Sequence, residues 1–239
     1  MASPTGFARP PALALAAALL LAVPARAADR AAAARKNVEP ALVALFKEKG
    51  VAWPPPRLYL RIFKAEKEVE AWAGPEKGEL TLIKRYPICA ASGEPGPKRQ
   101  EGDLQVPEGF YEVKSFNPTS NFHLSLEVSY PNAADRVLSD PKRPGGAIYV
   151  HGNCASIGCV AIEDGPIEEV YVMAMLATGR PIPLHIFPRR LDEKAVSALE
   201  GPHAEFWRQL APGYQRFEKT HRVPRPGIDR RTGAYTWSD

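Results

Sequence analysis

The sequence predicts a mainly β fold of the α+β class, a β-sandwich or barrel with a few packed helices. In residues 57–63 the side chains alternate with the period of two that marks a strand, and Leu58, Leu60 and Ile62 share one face. Glycine- and proline-rich turn signals separate most of the later strand candidates. These later candidates are residues 79–88, 109–113, 122–129, 147–151 and 182–187. Short strands that are interrupted so often are typical of a sandwich or a barrel.

Apolar residues at helical spacing predict the packed helices. Residues 37–49 are the first, followed by the stiff linker Pro54-Pro55-Pro56. Residues 166–178 are the second, with Pro166 suited to its first position and Gly179 to its stop. We expect the tail, residues 191–239, to hold helices at 193–199 and 204–217 and then to become irregular.

The first 27 residues have the pattern of a cleavable export signal. Arg9 provides a sparse positive charge, residues 12–23 form an apolar run too short to span a bilayer, and Ala25-Arg26-Ala27 fits a small-x-small cleavage site. A membrane anchor is the alternative, but charged residues follow the run at once. We therefore expect cleavage after Ala27 or Ala28, a periplasmic location and no integral membrane association.

Composition excludes some classes of function. The 239-residue chain carries a formal charge of +4, which falls to +2 without residues 1–27 because that segment holds two arginines and no acid. A nucleic-acid binder normally carries a concentrated basic face, so we expect no nucleic-acid partner. With 45% hydrophobic residues the chain has enough apolar material for a folded core.

Residues 147–164, AIYVHGNCASIGCVAIED, hold the strongest chemical pattern. Alternation places Tyr149 and His151 on one face of a strand, and Cys159 follows after a loop of mostly small residues. A cysteine attacks acyl groups as the thiolate, and a nearby histidine can take its proton. Small residues let the loop turn tightly, so that backbone N–H groups can face an acyl oxyanion. The segment therefore predicts a nucleophile, its base and an oxyanion site.

Three other interpretations remain open from the spacing alone. Cys154 and Cys159 could form a structural disulfide. His151, Cys154 and Cys159 could be zinc ligands, with a fourth from His123 or His185. His151 could also be a hydrogen-bonded core histidine.

A family resemblance favours catalysis. His151-Gly152 followed by Ser156-Ile157-Gly158-Cys159 resembles the active-site signature of the YkuD-type L,D-transpeptidase catalytic domain. The stretch GPKRQEGDLQVPEGFYEV, residues 96–113, is similar to a substrate-side loop of that family. Residues 117–136, NPTSNFHLSLEVSYPNAADR, resemble the YafK-like branch in particular. The likeness covers most of residues 57–188, which implies residues 28–56 as an N-terminal helix and linker, 57–190 as the catalytic domain and 191–239 as a tail.

The resemblance implies the catalytic roles. Cys159 would be the acyl-accepting nucleophile and His151 its base, with the Gly152 carbonyl orienting the imidazole ring. Ser156 would shape the loop, and the Gly158 and Cys159 amides would be candidates for the oxyanion hole. The implied substrates are peptidoglycan stem peptides, with a wall-linked envelope lipoprotein as a further partner, and no cofactor or metal is implied.

Two departures from the family pattern concern the second half of the reaction. Ile157 and Ala161 stand where the wider family usually has a histidine and an arginine. Fewer polar groups would then position an acceptor amine, which slightly favours hydrolysis of the thioester over transfer. A silent wall-binding module is the alternative from another class.

The candidate substrate-binding residues are His123, Tyr149, Asn153 and Lys98. His123 is expected on the polar face of its strand, and Lys98 lies in the loop that resembles the substrate-side loop. An exposed histidine and a solvated charged turn are the alternatives for these two. Because the thioester needs Cys159 unpaired, we expect any disulfide to join Cys89 and Cys154.

Overall fold

The computed structural model describes residues 25–238, with side chains from Arg30 onward. The apolar run and most of the predicted signal peptide lie outside the described residues. Among the helices of the part described, none is long and apolar enough to cross a membrane.

Within residues 25–238, nine strands form one mixed sheet in the order β3-β2-β1-β9-β5-β6-β7-β8-β4, and two more form a small hairpin. Their bounds are β1 Arg57–Phe63, β2 Glu68–Gly74, β3 Thr81–Pro87, β4 Ala90–Ala91, β5 Gly109–Asn117, β6 Ser125–Val128, β7 Tyr149–His151, β8 Val160–Ala161, β9 Pro183–Phe187, β10 Gly227–Ile228 and β11 Tyr235–Thr236. The pairs β1–β9 and β7–β8 are parallel, and the other pairs are antiparallel. The sheet curls into a half-barrel, so the predicted class, mainly β with packed helices, is confirmed.

Five helices accompany the sheet within the same residues: α1 Ala25–Glu48, α2 Ala133–Leu138, α3 Asp164–Leu176, α4 Glu193–Ser197 and α5 Ala204–Thr220. Helices α1 and α3 pack on the face that carries Leu58, Leu60 and Ile62. Helix α5 covers the opposite face, where Phe63 packs with Phe187 and Tyr214. Both faces of the central strands are therefore buried, and the sheet is the middle layer of the molecule.

A buried ion pair joins the tail side of the sheet to helix α5. The Arg61 guanidinium lies 2.5 Å from Glu70 and 2.6 Å from Glu218 of α5, and Arg61 and Glu70 are almost fully buried. Burial by itself would raise the pKa of Glu70, but the Arg61 charge and hydrogen bonds from Trp72 and Arg61 lower it to about 2. The carboxylate is thus held ionised inside the protein.

The structure corrects several element boundaries. Helix α1 spans Ala25–Glu48 and so extends well before residue 37, with Pro40 inside it. Strands β2, β4 and β8 and helix α2 were not predicted: charged residues interrupt the apolar pattern of β2, β4 and β8 have two residues each, and α2 has only six. The expected strand at 122–129 begins only at Ser125. In the tail, which was expected to end irregularly, β10 and β11 form a hairpin.

Candidate active site

His151 ends strand β7, an interior strand that lies between β6 and β8 in the curled sheet. Its neighbours in register are Ser125 on β6 and Ala161 on β8, and its side chain is 2% exposed. Nδ1 lies 2.6 Å from the Gly152 carbonyl oxygen, which accepts its hydrogen bond when that nitrogen is protonated. This contact favours the tautomer that leaves Nε2 as the free base. The role that the resemblance implied for the Gly152 carbonyl matches the geometry.

The parallel pairing of β7 and β8 places Cys159 on the face that His151 occupies. Val150 is level with Val160 and His151 with Ala161, so Cys159 comes level with Tyr149. Because side chains alternate along a strand, residues level with Tyr149 and His151 share their face. The Cys159 thiol is directed at the Ala147 carbonyl oxygen, at a sulfur–oxygen distance of 3.8 Å. Tight hydrogen bonds between nucleophile and base often form only when substrate is bound.

Burial shifts the pKa values of Cys159 and His151 in the directions that oppose formation of a thiolate and an imidazolium. Burial raises the pKa of the Cys159 thiol, against a hydrogen bond from the Tyr149 backbone and the charge of Lys98, which lower it. Burial also lowers the pKa of His151, and the Gly152 contact opposes that shift. Both shifts favour the neutral form of their group, and a neutral thiol and a neutral imidazole are the state from which general-base activation starts.

Ser156 organises the loop of residues 152–159, which we call the catalytic loop. Its Oγ accepts hydrogen bonds from the amides of Gly158 at 3.3 Å and Cys159 at 3.2 Å and donates to the Cys159 carbonyl at 2.7 Å. The loop-shaping role expected for Ser156 fits this arrangement. The two amides expected to form an oxyanion hole point at Ser156 in this conformation, and the main-chain groups near the sulfur are the Ala147 carbonyl and the Tyr149 backbone.

Cys159 and His151 line one cleft of about 830 Å³. Tyr149 and Lys98, two of the expected substrate-binding residues, line it as well. Lys98 is 4% exposed, and its ammonium group lies 2.5 Å from Asp103. It is therefore a fixed positive charge in the wall of the cleft and not a flexible arm.

The other two expected substrate-binding residues lie elsewhere. His123 and Asn153 line a separate depression of about 430 Å³. His123 precedes β6, with φ of +68°, and its Nε2 lies 2.8 Å from Glu168 of α3. The Asn153 side chain accepts a hydrogen bond from the Cys154 amide. Alternation had placed His123 on a strand, but the chain reaches extended geometry only after it.

Several residues that contact the site do not belong to any sequence motif that predicted it. Phe122 is 40% exposed and packs on the His151 ring with centroids 4.7 Å apart. The Asp164 carboxylate accepts a hydrogen bond from the Asn153 amide at 2.7 Å. A Cβ on Gly152 would lie 2.6 Å from this carboxylate, so the position requires glycine. Arg30 of α1 donates to the carbonyls of Ser120 and His123 and so holds the segment that carries Phe122.

The alternatives left open by the spacing have little support in the geometry. Within residues 25–238, no three His, Cys, Asp or Glu side chains come together as a metal-binding group. The three cysteines are unpaired thiols, and Cys159 faces the cleft while Cys154 is exposed outside it. His151 is a buried and hydrogen-bonded histidine, yet it also lines the cleft.

A thiol and a buried imidazole in one cleft of a curled β-sheet form the arrangement that acyl transfer through cysteine requires. The family model of the YkuD L,D-transpeptidase catalytic domain matches residues 59–186. The curated protein "Putative L,D-transpeptidase YafK" of Escherichia coli strain K12 is 34% identical over 174 residues, which cover 70% of this chain and 69% of that protein. The chain belongs to the YkuD-type L,D-transpeptidase family.

Solved structures resemble the chain more distantly. The helical cell shape determining protein Pgp2 of Campylobacter jejuni is 19% identical, with a TM-score of 0.46, over 68% of this chain and 56% of Pgp2. Bd1075 of Bdellovibrio bacteriovorus is 21% identical, with a TM-score of 0.41, over 58% of this chain and 50% of Bd1075. The chain thus spans about half the length of these two structures.

Proposed function

We propose that the protein is an exported, periplasmic cysteine enzyme that cleaves an amide bond in the stem peptides of bacterial peptidoglycan. The observation that carries this proposal is the shared cleft of Cys159 and His151, in which the Gly152 carbonyl fixes the orientation of the imidazole. Membership of the L,D-transpeptidase family supports the reaction class. The N-terminal pattern of residues 1–27 supports export.

The first half of the reaction uses groups already in the cleft. His151 Nε2 takes the proton of the Cys159 thiol while the sulfur attacks the carbonyl carbon of the substrate amide. The C–S bond forms, the C–N bond breaks, and His151 returns the proton to the leaving amine. The products are a thioester on Cys159 and a free amine, which carries the proton that His151 returned.

Positive side chains in the cleft fit the acidic substrate. Lys98, Lys142 and Arg143 all line it. Stem peptides carry free carboxylates, and a carboxylate in this cleft would meet fixed and mobile positive charges together. Lys98 also favours the thiolate, because its charge lowers the pKa of Cys159 against the effect of burial.

The thioester has two possible acceptors, and the cleft slightly favours water. Ile157 is 81% exposed at the cleft and offers no polar group to an incoming amine. Ala161 is fully buried and does not reach the cleft, so its difference from the family pattern has no direct effect on the acceptor. Hydrolysis of the thioester is therefore the preferred outcome, for example at the link to a wall-attached lipoprotein, with transfer to a diaminopimelate or lysine side-chain amine as the alternative.

Incubation of the purified protein with sacculi, with and without attached lipoprotein, tests the proposal. Mass spectrometry of the muropeptides should show released lipoprotein or free stem peptides. New direct crosslinks without release would replace hydrolysis by transpeptidation. Binding to sacculi that persists in both wild type and Cys159→Ala, with no chemical change in either, would establish a silent binding module instead.

A further inference from the structure

The two cysteines that do not line the cleft, Cys89 and Cys154, lie near each other. Cys89 immediately precedes strand β4, and its amide donates to the Ala161 carbonyl at 2.9 Å. Its sulfur lies 3.4 Å from the Asn153 carbonyl oxygen. Cys154 follows Asn153 directly, and its thiol is near enough to Cys89 to raise the pKa of the Cys89 thiol.

The groups that contact the Cys89 thiol differ from those that contact the Cys159 thiol. The Asn153 carbonyl also accepts a hydrogen bond from the Glu163 amide, so the backbone around the Cys89 sulfur is held on both sides. The groups that act on the Cys159 sulfur are Tyr149 and Lys98, which line the cleft. The geometry therefore sorts the three thiols into a neighbouring pair and a single nucleophile.

A covalent link would stabilise the position of strand β4, because this strand has little backbone pairing of its own. It contains two residues, lies at the edge of the sheet and pairs only with the equally short β8. Next to it, Ser92 donates from its amide to Ser156 Oγ at 3.2 Å, which is the hydroxyl that organises the catalytic loop. Cys89 and Ser92 thus contact the catalytic loop from either end of β4, one through Cys154 and Asn153 and one through Ser156.

We propose that Cys89 and Cys154 form a reversible disulfide that fastens strand β4 to the catalytic loop and leaves Cys159 as the free nucleophile. The oxidant is a small disulfide or an oxidised dithiol protein. Cys154 attacks it first because Cys154 is exposed and Cys89 is half-buried. The mixed disulfide releases one thiol; Cys89 then attacks the Cys154 sulfur and releases the second, so that two electrons and two protons leave the protein.

The reactivity of Cys89 agrees with this order. Burial, together with the contact to Cys154, raises the pKa of the Cys89 thiol to about 11. A thiol with so high a pKa is a poor first attacker of an external disulfide, but proximity to the mixed disulfide on Cys154 compensates. The pair closes a loop of about 65 residues, for which cross-linking restricts the unfolded chain substantially.

Thiol counting on oxidised protein tests the proposal without any activity measurement. The folded protein is incubated with oxidised glutathione, unfolded, alkylated and weighed intact. Wild type should lose two hydrogens, take up one alkyl group and carry no glutathione on Cys89 or Cys154. Cys159→Ser should lose the same two hydrogens and take up no alkyl group. Cys89→Ser and Cys154→Ser should each lack the intramolecular pair.

The variants also distinguish the proposed pair from the one with Cys159. If Cys159→Ser retains two alkylatable thiols, or carries glutathione in place of the internal link, the Cys89–Cys154 disulfide does not form. A thermal melt gives a second measurement: reduction should lower the Tm of oxidised Cys159→Ser by about 5 °C or more. The Tm of Cys154→Ser should be the same under both conditions, and an unchanged Tm in Cys159→Ser would overturn the fastening role.

Discussion

The Phe122 ring packs on the buried His151 ring with centroids 4.7 Å apart, although Phe122 itself is 40% exposed. Phe122 therefore covers part of the imidazole from solvent, and desolvation is the main reason why the pKa of His151 is lowered. Phe122→Ala should raise that pKa towards its ordinary value of 6.5, and Phe122→Leu should do so less. NMR titration of the histidine resonances measures the shift.

Val137→Ala is the matched control for Phe122→Ala. Val137 is 41% exposed on α2 and does not line the cleft. Its loss should leave the His151 titration unchanged. An equal shift in both variants would show that Phe122 acts through global stability and not through local desolvation.

Activity should depend on pH through His151. A lowered pKa means that the imidazole stays neutral, and able to act as a base, to lower pH than an ordinary histidine. The acid limb of kcat/KM should therefore lie below pH 6.5 and move upward in Phe122→Ala. A pH–rate profile with a soluble muropeptide substrate measures both. An acid limb well above 6.5 in wild type would contradict a neutral, desolvated base.

Cys159→Ala should abolish turnover, because it removes the thiol that carries the acyl group in the proposed mechanism. His151→Ala should reduce turnover by about 10²-fold or more, as expected when a general base is removed. Neither change should unfold the domain, and thermal melts test that. Turnover close to wild type in either variant would remove that residue from its proposed role.

Glu101 should affect which acceptor resolves the thioester. It is the one carboxylate among the described residues that line the cleft, where the other charged groups are positive. An amine acceptor is a cation before it reacts, so Glu101→Gln should lower the ratio of crosslinking to hydrolysis about threefold or more, in line with the loss of a charge-assisted hydrogen bond. Glu94→Gln, outside the cleft, is the control. An unchanged product ratio would show that Glu101 takes no part.

Glu70 should contribute to stability in a pH-dependent way. Its pKa falls from 4.5 to about 2 on folding, so its contribution is complete above 4.5 and is lost as pH falls towards 2. Glu70→Gln leaves Arg61 buried without its nearest partner and should cost about 3–5 kcal/mol of unfolding free energy at pH 7. Denaturant titrations of wild type and variant should converge at low pH. Glu68→Gln, a more exposed acid that also contacts Arg190, should cost less than about 1 kcal/mol.

The sequence by itself determined the fold class, most of the strands and the identities of the chemical groups. Period-two alternation is a local property, so β1, β7 and β9 could be located from neighbouring residues. The His-Gly and Ser-x-Gly-Cys patterns are likewise contiguous, which is why Cys159 and His151 could be named together. Strand β2 was not predicted from the sequence. Both of its faces are buried, so its side chains do not alternate between apolar and polar, and its charged Glu70 is paired with Arg61 from another strand.

Only the tertiary structure decided which residues surround these groups. Lys98 and Glu101 line the cleft although they are distant from Cys159 in the sequence. His123 does not line the cleft, because its backbone adopts a positive φ before β6 begins. Phe122 meets His151 because β6 pairs with β7, and Cys89 meets Cys154 because β4 pairs with β8. Contacts of this kind depend on strand order and register, which are set by the packing of the whole sheet and not by any one stretch of residues.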